Sequence, residues 1–182
     1  HIVDTVFAMG EDDGIDQNNA NVLVERCWIE GFRHEGIAAS NGRRIEIRDS
    51  VVRGCEQGIE AGYGRPEVHV EHCTVTGNVT GLRFGDSYDW GADGQMNVRY
   101  TISQGNIAQD VRNYRRSTMT PKPGGILMDC SLTDNPDLVE GMANSAAEPE
   151  GRWRDGCASG PVLEAAQCGA TVAGARDLPG CP

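Results

Sequence analysis

The chain has 182 residues, 27 acidic against 16 basic side chains, a net charge of −11 and only 5% aromatic residues. That balance excludes nucleic acid and anionic membrane surfaces as partners, because phosphate binding needs a basic stripe. No apolar run approaches the roughly 18 residues of a membrane span, and no linker divides the chain, so it reads as one domain.

The first repeating signal in chain order is a glycine followed by a large aliphatic residue. Gly14-Ile15, Gly36-Ile37, Gly58-Ile59 and Gly81-Leu82 recur at intervals of 22, 22 and 23 residues. A second register, Val22-Leu23-Val24, Ile45-Glu46-Ile47 and Val68-His69-Val70, recurs at 23 and alternates with the period of a strand. A third column joins them: Cys27, Ser50 and Cys73, each followed two residues later by Ile29, Val52 and Val75. Three short apolar segments per coil predict an all-β, right-handed parallel β-helix, a solenoid of 22- to 23-residue coils. A leucine-rich repeat has a similar period, but its recurring leucine frame is missing here.

Met96-Asn97-Val98 begins a further coil 28 residues after Val68, because the loop from Asp86 to Gly94 is longer than its equivalents. Another coil is predicted through Ile126–Leu132, after the turn-rich stretch 118–125. Beyond residue 142 the repeat is lost. The expected division is therefore coils over 1–142 and an irregular, Cys-containing tail or cap over 143–182. His1 to Asp4 carry no recognisable cap, which suggests a piece of a longer chain whose further N-terminal coils would complete the stack.

Seven cysteines divide by position. Cys27 and Cys73 share an inward column two coils apart, roughly 9 to 10 Å, too far for a disulfide, and read as core fillers. Cys55 falls in a turn, and Cys130 is expected to return to the inward column. Among Cys157, Cys168 and Cys181 one disulfide is expected, pairing Cys168 with either of the others, which favours an extracellular or cell-surface setting. Asn78-Val79-Thr80 matches a glycosylation acceptor.

Chemistry must lie on outward columns, where equivalent residues of adjacent coils stack about 4.8 Å apart. Alignment on the glycine-aliphatic pairs gathers Asp12, Asp13, Asp16, His34, Glu35, Glu56 and Glu60 on one face. Arg33, Tyr63, Arg65, Arg83, Tyr88 and Trp90 lie nearby, and together they outline a groove with carboxylates on its floor. Carboxylates this close push one another's pKa values apart unless a cation intervenes, so calcium held by Asp12, Asp16 and Glu60, with Asp13 beside them, is the expected cofactor. The column Glu25, Arg48, Glu71, Arg99 alternates in sign and is expected to pair across strands.

The stretch from Asp12 to Gly91 resembles the coils of right-handed parallel β-helix repeat proteins, the group of pectate lyases and polygalacturonase-like glycosidases. Within it, Asp12-Asp13-Gly14-Ile15-Asp16 is similar to the Asn-Thr-Asp-Gly-Ile-Asp coil of polygalacturonases, and the resemblance implies that Asp13 is a catalytic acid. His34-Glu35 stands where that family has paired aspartates, and no Arg-x-Lys follows. An acidic glycan is the partner this implies, with three alternatives open. In hydrolysis Asp13 and Glu35 form the acid and base pair. In elimination His34 or Tyr63 removes the proton, and Arg33, Arg65 or Arg83 holds the substrate carboxylate. As a passive module the chain binds glycan through Tyr63, Tyr88 and Trp90, or serves as a spacer.

Overall fold

The computed structural model describes residues 1–86, 93–116, 124–142 and 144, together with the backbone of four short strands between 153 and 172. Three parallel sheets run the length of the stack. The first contains Ile2–Val3, Val22–Glu25, Arg44–Arg48, Glu67–Glu71, Gln95–Arg99 and Ile126–Asp129. The second contains Val6–Gly10, Trp28–Phe32, Val51–Arg53, Thr74–Thr76, Ile102–Ser103 and Leu132–Thr133. The third contains Ile15–Asn18, Glu35–Ser40, Gln57–Ala61, Thr80–Phe84 and Gln109–Asn113. The chain is thus a right-handed parallel β-helix, and its three sheets are the three apolar segments of the sequence repeat.

The registers agree with the sequence columns. Val22 pairs with Ile45 and Ile45 with Val68, and the 28-residue step from Val68 to Met96 keeps the ladder in register. Ile15, Ile37, Ile59, Leu82 and Val111 stack as one column of the third sheet. These side chains, with Ile45, Ile47, Val68, Val70, Phe84, Met96 and Val98, form a single continuous core inside the coil. Each coil rests on its neighbour, so the core is a line rather than a ball.

The glycine column exists because the coils approach closely there. A Cβ on Gly58 would lie 2.6 Å from the carbonyl oxygen of Gly81 and 2.5 Å from Val75 Cγ1. No side chain fits at that spacing. At the corner between the first and second sheets each coil instead turns through one left-handed residue, namely Asp4, Arg26, Asp49, His72, Tyr100 and Cys130, with φ between 47° and 52°. These are the positions that sequence periodicity alone does not reveal, since only scattered polar or aromatic side chains mark them.

Two internal ladders replace apolar packing at the turns. Ser50 Oγ accepts the Cys27 N–H, Thr101 Oγ1 that of Cys73, and Ser131 Oγ that of Thr101. Asn78 Oδ1 accepts the Cys55 N–H and Asn106 Oδ1 that of Asn78, so each buried amide binds the coil below. Cys27, Cys55 and Cys73 are free, buried thiols, and burial pushes Cys73 up to about 12. Cys130 does not return to the inward column. Ser131 occupies it, while Cys130 takes the left-handed corner and is disulfide-bonded. The glycosylation reading also fails, because Asn78 is completely buried within its ladder.

The last coil lacks a third-sheet strand. A 3-10 turn at Pro136–Leu138 takes its place, and Glu140 bridges back to Leu127. In the tail, Trp153–Arg154 pairs with Cys157–Ala158 and Val162–Ala165 with Gly169–Val172, both antiparallel. The expected pairings among Cys157, Cys168 and Cys181 lie outside the residues whose side chains are described.

Candidate functional site

The outer face of the third sheet carries an open groove of about 780 Å³. Its walls include Asp13, Asp16, His34, Glu35, Glu56, Glu60, Tyr63 and Arg83, together with Asp86, Arg112 and Tyr114. Eight of the sequence candidates therefore meet in one place: Asp13, Asp16, His34, Glu35, Glu56, Glu60, Tyr63 and Arg83. Arg33 and Arg65 do not join them; they are exposed and pair with Glu11 at 3.0 Å and with Asp93 at 3.5 Å. Tyr88 and Trp90 lie outside the described residues.

A row of three carboxyl groups forms the chemical centre of the groove. Asp13 is hydrogen-bonded to Glu35, and Glu35 to Glu60. Burial, followed by the hydrogen bond to Glu35, raises Asp13 from 3.8 to about 6. Glu35 and Glu60 are also raised by burial, but Glu35 is pulled back by Asp13, and Glu60 by Glu35 and by Arg83. All three carboxyls are raised above their ordinary range, burial being the largest cause for each, so the row holds protons to higher pH than free carboxyls do. The Glu35 N–H donates to Asp13 Oδ1 at 3.1 Å, a bond that favours the Asp13 carboxylate and so opposes part of the rise.

Arg83 stands at the Glu60 end of the row. Its Nε lies 4.0 Å from Glu60 and donates to the Gly85 carbonyl at 3.1 Å, its Nη2 meets Asp86 at 3.1 Å, and its Nη1 donates to Gln57. Tyr114 packs beneath the cations, its ring centre 5.5 Å from the Arg83 guanidinium carbon and 4.6 Å from that of Arg112. Arg112 is exposed and ion-pairs with no carboxylate among the described residues. Tyr63 is hydrogen-bonded to Asp86, which raises its hydroxyl above the ordinary phenol range.

Asp86, Arg112 and Tyr114 were missed from sequence for a definable reason. The glycine-aliphatic frame ends at Gly81-Leu82, whereas Arg112 enters the same outward column one coil later, beside Val111 with no preceding glycine. Only the spacing from Leu82 to Val111 would have located it.

For a metal, the groups that converge are Asp12, Asp13 and His34, each offering an atom within 4.8 Å of the others. His34 Nδ1 is 3.2 Å from Asp12 Oδ1. Asp16 and Glu60 stand apart from this set, two coils from each other in one column with Ala38 between them. Calcium takes about six to eight oxygens, so only the two carboxylates of this set suit it, and the imidazole of His34 does not.

Fold and site together define a β-helix with a carboxyl-lined groove on one sheet. The family described as a right handed beta helix region matches residues 4–99, and the chain belongs to it. No curated protein and no solved structure matches the chain.

Proposed function

We propose that the protein cleaves an acidic polysaccharide outside the cell, using the groove of the third sheet as its active site. The observation that carries this reading is the convergence of three raised carboxyls, Asp13, Glu35 and Glu60, with Arg83 in one groove. A carboxyl raised toward neutrality with further carboxyls beside it is what glycosidic bond cleavage needs for its general acid and base. Asp13 acts as the general acid toward the departing sugar oxygen. Glu60, two coils away, takes the proton of an attacking water, and Glu35 relays between them. The disulfide at Cys130 supports an oxidising compartment.

A second reading, elimination, is favoured by one observation: Arg112 is a cation without a carboxylate partner, as recognition of a uronate requires. The two readings separate in a single assay. Purified protein is incubated with acidic polysaccharides, with calcium or with chelator, and both new reducing ends and ultraviolet absorbance of unsaturated sugars are followed. Reducing ends without absorbance, lost in Asp13→Asn, support hydrolysis. Growth of absorbance establishes elimination, and loss of either signal with chelator places calcium in the site. Silence in both channels across the panel refutes catalysis and leaves the passive module.

A further inference from the structure

One outward column of the third sheet has an ordered charge sequence. Asp16, Ala38, Glu60, Arg83 and Arg112 stand in unbroken register across five coils. Four strand spacings make this column roughly 19 Å long, enough for several sugar rings. Its middle is self-compensated, because Arg83 faces Glu60 and Asp86. Its two ends are not. Asp16 is exposed and makes no ion pair among the described residues, and the same holds for Arg112. Asp13, Glu35 and Glu56 line the groove on the Asp16 side, so no second arginine offsets that end.

Tyr114 makes the other end a built cation site. Its ring, itself buried, lies against both Arg83 and Arg112. Stacking on an aromatic face limits the guanidinium's freedom while leaving its N–H fork available to a carboxylate. The groove is therefore dipolar along the stack, with its free negative charge near the N-terminal coil and its free positive charge near the fifth.

Resting on the reading above, we propose that the groove binds its glycan in one direction only, with an acidic sugar at Arg112 and a sugar lacking an acid group opposite Asp13 and Asp16. The substrate class is then a mixed polymer, in which acidic and uncharged sugars alternate, and not a homopolymer acidic at every ring. An acid group at the Asp16 end meets like charge that no neighbouring cation relieves, while at the Arg112 end it gains a charge-assisted hydrogen bond.

The test is calorimetric titration at low salt with two defined probes of equal length: an oligogalacturonate, acidic at every ring, and an unsulfated chondroitin oligosaccharide, in which uronate and N-acetylhexosamine alternate. The alternating probe is expected to bind about two- to five-fold more tightly, the range of one exposed charge interaction. Asp16→Asn should remove most of that preference by strengthening the oligogalacturonate, and Arg112→Gln should weaken both probes roughly ten-fold. Both substitutions fall at exposed positions. Equal or tighter binding of oligogalacturonate, unchanged by Asp16→Asn but weakened by Arg112→Gln, overturns the polarity while leaving the acidic-glycan groove intact. Failure of both probes to bind the unsubstituted protein refutes the groove reading and the polarity with it.

Discussion

Replacing Asp13 with Asn should make the protein more stable at neutral pH, and the structure sets the size of the effect. Asn copies the protonated acid. Its Oδ1 can still accept the Glu35 N–H, and its Nδ2 can donate to the Glu35 carboxylate as the acid proton does. The native Asp13 carboxyl is raised from 3.8 to about 6, so between those values the folded chain holds a proton that the unfolded chain releases. Stability therefore falls as pH rises through this window, and the penalty is complete above about pH 6. Taken whole, about 2 pKa units correspond to about 3 kcal/mol. Asp13 is only partly buried, so solvent screens the interaction, and about 1 kcal/mol is the figure we expect.

Urea denaturation at a series of pH values from 4 to 8 measures this directly. The unsubstituted protein should lose stability between pH 4 and 6 through this group, and Asp13→Asn should flatten that loss. Near pH 7.5 the variant should gain about 1 kcal/mol, which for a domain of this size raises Tm by about 2–4 °C. A variant less stable than the parent at pH 7.5, or one with the same dependence between pH 4 and 6, would refute the proton-sharing row. In the proposed reaction the same substitution removes the acid, so stability and activity should move in opposite directions.

Three further outcomes follow from the coil geometry. Gly58→Ala should destabilise the stack by about 2–3 kcal/mol in the same denaturation assay, since the new methyl group overlaps the Gly81 carbonyl oxygen and Val75. Asn78→Ala should cost about 2–3 kcal/mol by stripping partners from the Cys55 N–H and the Val52 carbonyl, and intact-mass measurement after eukaryotic secretion should find Asn78 unglycosylated. Cys73, a fully buried thiol pushed up to about 12, should resist iodoacetamide at pH 8 until denaturant is added; prompt labelling of the folded protein would contradict its burial.

Most of the fold was legible because one physical constraint, stacking at a fixed spacing, writes itself into sequence as a period. Gly14 through Gly81 mark where coils nearly touch, and Val22 through Val98 mark the inward strand positions. The corner residues left almost no trace, because a left-handed turn can be filled by Asp, Arg, His, Tyr or Cys once the flanking ladders force it. That is also why Cys130 was placed one position wrongly. In the site, Asp13, Glu35 and Glu60 were readable from adjacency. Their raised titration was not, because it depends on how deeply each carboxyl sinks and on Arg83 reaching back one coil. The alternating column Glu25, Arg48, Glu71, Arg99 aligns as its spacing predicts, yet Arg48 pairs with Glu46 on its own strand and Arg99 lies over Tyr100. Register fixes which residues are neighbours, whereas rotamers decide which of them pair.

The contrast between two faces of the same stack argues that the groove is more than the solvated side of an acidic protein. On the first sheet the outward charges compensate locally: Arg44 and Arg48 both meet Glu46, and His69 meets Glu67 at 2.8 Å. Such a face has no energetic conflict. The third sheet has the same backbone geometry and could hold the same alternation, but its carboxyls crowd at one end and a free arginine stands at the other. Crowding there lowers stability without helping any coil to pack, since Ala38 and Asp16 show that this column tolerates a small or fully solvated residue. Where a repeat scaffold departs from its own cheapest solution, with titration pushed toward neutrality as the result, chemistry is the economical explanation. The gain in stability expected for Asp13→Asn is the quantitative form of that argument.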